Sequence, residues 1–417
     1  MTAAQADSAG YLNKKTAVVV FLAFAAAYFC SALVRAITAT LSPVLTQEFS
    51  LQARDLGLLA GGYFLGFAAM QLPLGAWLDR HGPKRVILWF LGLSVLGSLA
   101  FSMATSFSGL LLARVVLGAG VSACLMAPLT GYRRWLEPAA LLRANSWMLM
   151  TASLGMLAST LPVQWLMPLT GWRALFWILA GLIVLSMLCI AWVVPRWNVE
   201  AVAAPAGAVP PPGRYADVLR NRYFQKMTPL AFFNYGGLVA VQTLWAGPWM
   251  VRVAGYTPLE SATGLFYINA TMLVTFWVWG MVNPWLARHG WHATRLVAWG
   301  VPLSIAVLAF NIWAGAATGW LGWALFCMSC SAMSLAQPAV GMAFHVSLAG
   351  RALSAYNLVI FSGVFVVQWG IGLLIDAFRA AGLAEVASFQ AAFAVFLCCC
   401  IASYAYFLSV SADNSPQ

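Results

Sequence analysis

The sequence predicts an all-α membrane protein in which twelve transmembrane helices form two pseudo-symmetric six-helix bundles. Three observations carry that expectation. The chain is 62% hydrophobic and 8% charged, with a mean hydropathy of +0.84, whereas a soluble domain carries about 25% charged residues. Twelve apolar runs are long enough to span a bilayer, each near the roughly 20 residues that about 30 Å of helix requires. The charged turn Trp77-Leu78-Asp79-Arg80-His81-Gly82 recurs 208 residues later as Trp285-Leu286-Ala287-Arg288-His289-Gly290, with five identities in six. A charged loop repeated at half the chain length indicates two like halves.

In the first half the runs lie near 16–40, 56–78, 86–106, 108–130, 144–167 and 172–195. In the second they lie near 227–250, 261–286, 294–316, 318–345, 353–378 and 387–409. The domains that follow are a first bundle over 1–195, a linker over 196–225 and a second bundle over 226–417. The linker holds Pro205, Pro210, Pro211 and Pro212 among alanines and glycines, a composition that buries no core and stays flexible. Other loops are short, so neighbouring helices pack antiparallel. The first run follows Lys14-Lys15 as a signal peptide would, but Arg35 stands at its far end and eleven runs follow. An uncleaved first span is therefore expected.

A net charge of +11 suggests a polyanion partner until the charges are placed. With the N-terminus in the cytoplasm, sixteen Lys and Arg fall on that side. Four (Arg54, Arg173, Arg252, Arg379) fall on the other, and Arg35 and Arg114 lie inside spans. This is the positive-inside rule, and it puts both termini in the cytoplasm. The basic balance reflects topology, and no nucleic-acid partner is expected. All eight cysteines fall in spans, where free Cys behaves as a small hydrophobe. Cys327-x-x-Cys330 and Cys398-Cys399-Cys400 are thus read as packing, and neither a metal nor a cofactor is expected.

The loop after the second run reads Gly75-x-x-x-Asp79-Arg80-x-Gly82-x-Lys84-Arg85. It resembles the signature loop of the major facilitator superfamily. Arg114-x-x-x-Gly118-x-Gly120 and Gly171-Trp172-Arg173-x-x-Phe176 are similar to two lesser phrases of the same family. The resemblance covers the whole chain and implies a secondary transporter whose halves rock about a midplane site. It also implies that Gly75, Asp79, Arg80, Gly82, Lys84 and Arg85 latch the halves in the outward-facing state. On physical grounds Gly75 allows span two to approach a neighbour closely. Asp79 can cap a helix or pair with Arg133, Arg134 or Arg143. The second copy carries Ala287 where Asp79 stands, so the first half alone keeps the acid.

Arg35 is the leading substrate candidate, because an arginine inside a span costs roughly 2.5 kcal/mol or more on insertion. Its context, Arg35-x7-Pro43-x4-Glu48, resembles the first span of the superfamily's organic anion transporters. Guanidinium suits carboxylate and phosphate. The acid that often precedes this arginine is Val34 here. The alternative is that Arg35 snorkels to water. Arg114 and Gly118 are read as packing or gating residues. Span seven offers Asn234, Gln242 and Trp245, the last two three residues apart and so on one helical face. Spans eight, ten and eleven add Tyr267, Asn269, Gln337 and Asn357. Intramembrane amides either line a polar cavity or bind helices together. His345 is either a proton carrier or an interfacial residue.

Asp and Glu fall at span ends and in loops. Cation and drug antiporters use a buried carboxylate, so its lack favours an anionic or zwitterionic substrate, with a coupled proton as the candidate co-partner. The antiporter phrase of span five is incomplete, since Gly155 leads to Leu161-Pro162. An exporter of amphipathic compounds or a carrier of a metal chelate remains the alternative, suited to the Met- and Trp-rich composition. No His-Glu-x-x-His or Gly-x-Ser-x-Gly is present, so an intramembrane enzyme is not expected. A monomer in a bacterial inner membrane, surrounded by lipid, completes the expectation. The topology is checked by fusions after Gln417. A fluorescent protein there should fluoresce, and alkaline phosphatase should stay inactive.

Overall fold

The computed structural model describes residues 11–196 and 215–410, and among these every regular element is helical. Lipid leaves backbone N–H and C=O groups no water to bond, so each apolar run satisfies its own. Nine helices among the described residues are long and apolar enough to cross a membrane. Twelve rods result when the chain is divided where its backbone turns. Gly82 (φ 74°, ψ 163°) and Gly171 (φ 73°, ψ 162°) each end one helix and start the next. Both occupy the left-handed region, which glycine alone enters without a Cβ penalty.

The first six rods are α1 (Lys14–Phe49), α2 (53–81), α3 (83–103), α4 (Phe107–Trp135), α5 (138–170) and α6 (172–193). The last six are α7 (222–252), α8 (Pro258–Arg288), α9 (Ala293–Ala314), α10 (Trp320–Met342), α11 (Val346–Ala380) and α12 (Glu385–Ser409). Each overlaps one expected run. α1 does not stop near 40 but carries Pro43 within it and continues to Phe49. Met70 and Ser122 interrupt α2 and α4 yet keep right-handed helical dihedrals. Most of the expected linker, 197–214, lies outside the described residues. The remainder is structured: Tyr215–Arg220 is a short helix, and α7 begins at Arg222.

Within the first half α3 packs on α4 and α6, and α1 on α5. Within the second, α9 packs on α10 and α12, and α11 on α12. The halves meet chiefly along three helix pairs, α2 with α11, α5 with α8, and α1 with α7, with a lesser contact of α1 with α8. The α2–α11 pair is the tightest. A side chain on Gly57 would overlap the Gln368 carbonyl, and one on Gly372 would overlap that of Ala53. Small residues let backbones touch where dispersion, not water, drives association.

An ion-assisted cap closes one end of this pair. The Asp376 carboxylate on α11 accepts from the N–H groups of Ala53 (3.2 Å) and Arg54 (2.8 Å) at the start of α2. These are two of the four N–H groups that a helix start leaves unpaired, and the helix dipole favours an anion there. On the same side, a Cβ on Gly247 of α7 would lie 3.1 Å from the Ala39 carbonyl of α1. At the opposite end of α2 the packing loosens. A Cβ on Gly75 would meet nothing within 4 Å, so the close approach expected at Gly75 is not made in this structure.

Replacing Asp376 with alanine should cost about 1 kcal/mol, the worth of a helix cap, while Asp376→Asn retains part of it. Thermal unfolding of the purified protein checks both.

Candidate functional site

Between the halves, closed at the Asp376 end and reaching toward the Asp79 end, lies a cavity of about 670 Å³. That is within the range of small-molecule sites. α1 supplies Tyr28 and Arg35 to its wall. They are seven residues apart, two helical turns, and so share a face. Arg35 is half-buried, and the hydroxyls of Tyr28 and Tyr63 lie beside its guanidinium. No carboxylate pairs with it among the described residues. Snorkelling is therefore replaced by a cavity-facing position.

Tyr63 is positioned by touching backbones. Gly118 on α4 lies against the Tyr63 carbonyl and Gly66 on α2 against that of Val115, with no room for a Cβ at either. Arg114, one turn from Gly118, is fully buried. It donates from Nη1 to the Val34 carbonyl (2.9 Å) and stands 5.2 Å from the Tyr63 ring centroid. Tyr63 thus separates two arginines. Arg114 is packed behind the wall, outside the cavity lining.

The second half presents amides. Gln242 Nε2 donates to Asn269 Oδ1 (3.0 Å), joining α7 to α8. Gln337 Nε2 donates to Asn357 Oδ1 (2.7 Å), joining α10 to α11. All four line the cavity. Each pair consumes one donor and one acceptor, and each amide has more of both. The rest of the wall is largely apolar, with Met126, Met150, Met272, Trp147, Trp279 and Phe361.

Three expected substrate residues sit elsewhere. Trp245 is fully buried and donates from Nε1 to the Gln368 carbonyl (3.0 Å). Its separation from Gln242 has a backbone cause: Val241–Trp245 is a π-helical turn, whose wider ring breaks the three-residue face expected of an α-helix. Asn234, near a second π turn, is buried and donates to Ser403 Oγ on α12 (2.7 Å). Tyr267 is 46% exposed on the outer surface and packs on Trp320 at 4.9 Å. His345 lies in the junction before α11, off the cavity. Tyr28, Gln71, Ser153, Asn283 and Ser334 line the wall without having been singled out.

The loop at the other end of α2 is only partly engaged. Asp79 lies within electrostatic reach of Arg351 on α11, so its neighbour belongs to the second half and is none of the three arginines expected. Lys84 donates to the Val194 carbonyl at the end of α6 (2.6 Å), a cap that also opposes the helix dipole. Arg80 and Arg85 are exposed. Trp245→Phe, which deletes a buried hydrogen bond, should lower stability by about 1 kcal/mol. Thermal unfolding checks this, and the cavity wall stays unchanged.

Comparison with known proteins agrees with this architecture. The chain is 28% identical over 257 residues to the inner membrane transport protein YajR of Escherichia coli (strain K12), covering 58% of this chain and 52% of that one. It is 28% identical over 170 residues to the probable sulfoacetate transporter SauU of Cupriavidus necator, covering 40% and 37%. The matched segments thus span about half or less of these relatives. A bacterial homologue of the human lysosomal transporter Spinster, inward-facing and unoccupied, superposes with a TM-score of 0.78 at 18% identity, covering 95% of this chain and 97% of that chain. A D-xylose–proton symporter superposes with a TM-score of 0.74 at 13% identity, covering 94% and 98%. At such identities the likeness concerns the fold. The family model for the Major Facilitator Superfamily matches residues 24–368. A membrane protein of twelve helices, the chain belongs to the Major Facilitator Superfamily.

Proposed function

We propose that this transporter carries a small organic anion or zwitterion by alternating access, with Arg35 as the anchor of its acidic group. The observation that carries the reading is Arg35 on the cavity wall with no carboxylate paired to it among the described residues. A guanidinium so placed holds two oxygens of a carboxylate or sulfonate by parallel N–H bonds. Across the cavity, the Gln242–Asn269 and Gln337–Asn357 pairs meet the solute's polar substituents, and the methionines and aromatics meet its carbon skeleton. One relative is named a probable sulfoacetate transporter, and sulfoacetate is an anion of this class.

The asymmetry of Lys and Arg supports a loop end facing the cytoplasm, with both termini there. The relative YajR, an inner membrane protein, supports a bacterial inner membrane. In that orientation the structure is inward-facing: the Asp376 cap seals the outer end, and the Asp79 loop awaits closure. Gly82 and Lys84 then set the loop's shape, while Asp79 approaches the start of α11. A second reading, export of amphipathic compounds, draws on the apolar share of the wall, with Arg35 unused.

Thermal stabilisation of the purified protein by lactate, succinate, sulfoacetate, glucose and tetraphenylphosphonium separates the two. An anion present at 100 times its Kd should add about 2.7 kcal/mol, and Arg35→Ala should abolish the gain. Stabilisation by tetraphenylphosphonium that survives Arg35→Ala would sink the anion reading and leave the exporter.

A further inference from the structure

Inside its spans the first half holds two cations, Arg35 and Arg114, and no counter-charge pairs with either among the described residues. Among the described residues Arg35 is the one charged side chain on the cavity wall, and its Nε is buried without a partner. Arg114 is 0% exposed, and its Nε and Nη2 are likewise unpartnered. The ring of Tyr63 lies between the two, so a charge placed beside Arg35 also acts on Arg114 through a medium of low dielectric. The ion pairs among the described residues, Arg54–Asp55, Arg173–Glu48 and Arg252–Glu385, involve neither. Among the described residues no Asp, Glu, Lys or His lines the cavity.

This charge balance bears on how the carrier returns. In the open state, cavity water solvates Arg35. Passing to the other open state requires a form closed at both ends, which removes that water and leaves Arg35 with the hydroxyls of Tyr28 and Tyr63. Desolvating a cation without a partner is costly, and a second cation behind it adds to the cost. A carrier can return empty if an internal carboxylate takes the solute's place beside the arginine. Among the described residues no such carboxylate borders the cavity, so the solute itself must supply the negative charge.

Building on the anion site proposed above, we infer that this chain is an obligatory anion exchanger. It changes sides with an anion bound in both directions, moving one in for each one out. Like-for-like exchange transfers no net charge, so it neither draws on nor responds to the membrane potential. Coupling to a proton gradient is not required, because among the described residues no carboxyl, imidazole or amine lines the cavity to carry a proton.

The test uses the full chain in proteoliposomes with carbon-14 lactate and carbon-14 succinate outside, one bearing a single charge and the other two. The interior holds either the same unlabelled anion or potassium chloride alone. Exchange predicts uptake into loaded vesicles at least about tenfold faster than into chloride vesicles, unaffected by a valinomycin-set potassium potential or by an imposed pH step. Binding of either anion, shown by thermal stabilisation, together with equal uptake into loaded and chloride vesicles would overturn exchange and leave the anion site standing. Failure of both anions to bind or to enter loaded vesicles would overturn the anion site and exchange with it.

Discussion

The structure depends on the contact of two helix backbones, α2 and α11. Gly57 and Gly372 remove the side chains that would hold them apart, and Asp376 fastens the start of α2 with two charge-assisted hydrogen bonds. In lipid no water-driven force presses one apolar helix on another, so close dispersion contact and internal hydrogen bonds do what burial does in a soluble core. The seam is tight at one end and slack at Gly75. That taper gives the cavity its closed floor and its open mouth, and it places Arg35 and the amide pairs on facing walls.

The two walls divide the chemistry. The first half contributes positive charge, held by glycine-mediated contact between α2 and α4, where Gly118 presses on the backbone of Tyr63 and Gly66 on that of Val115. The second half contributes neutral amides, which bond one another across neighbouring helices. A charged group demands a fixed surrounding, since small displacements in low dielectric change its energy steeply. Amides tolerate rearrangement, because each keeps spare donors and acceptors. The π turns at Ala231–Tyr235 and Val241–Trp245 place this adaptability in α7, beside the cavity.

Hydropathy located all twelve rods, because a bilayer imposes one length and one chemistry on every span. Arg35 was legible for a similar reason: a cation in a span needs a purpose. Tyr28 was also within reach, since it stands two turns before Arg35, but a lone tyrosine in an apolar run carries no cost that draws notice. Trp245 and Asn234 misled because α-helical spacing does not hold through a π turn, and nothing in Val241–Trp245 announces one. Asp376 was passed over as a loop acid. Its partner is the backbone of a helix more than three hundred residues earlier, a relation that no local pattern encodes.

The turn at Gly82 has kin. Of the six described glycines with positive φ, Gly255 and Gly315 apart, the other three match it in place: Gly171, Gly290 and Gly382, at 73°, 77° and 94°, against 74° at Gly82. Each lies between the second and third helix of a successive group of three, 89 residues apart in the first half and 92 in the second. The sequence repeat joined only Gly82 and Gly290. The backbone adds the other two, so each group of three helices turns at a glycine in the same place. A reversal that glycine makes most cheaply tolerates no side chain, so these four turns are where the repeated plan of the chain is most tightly bound to one residue type.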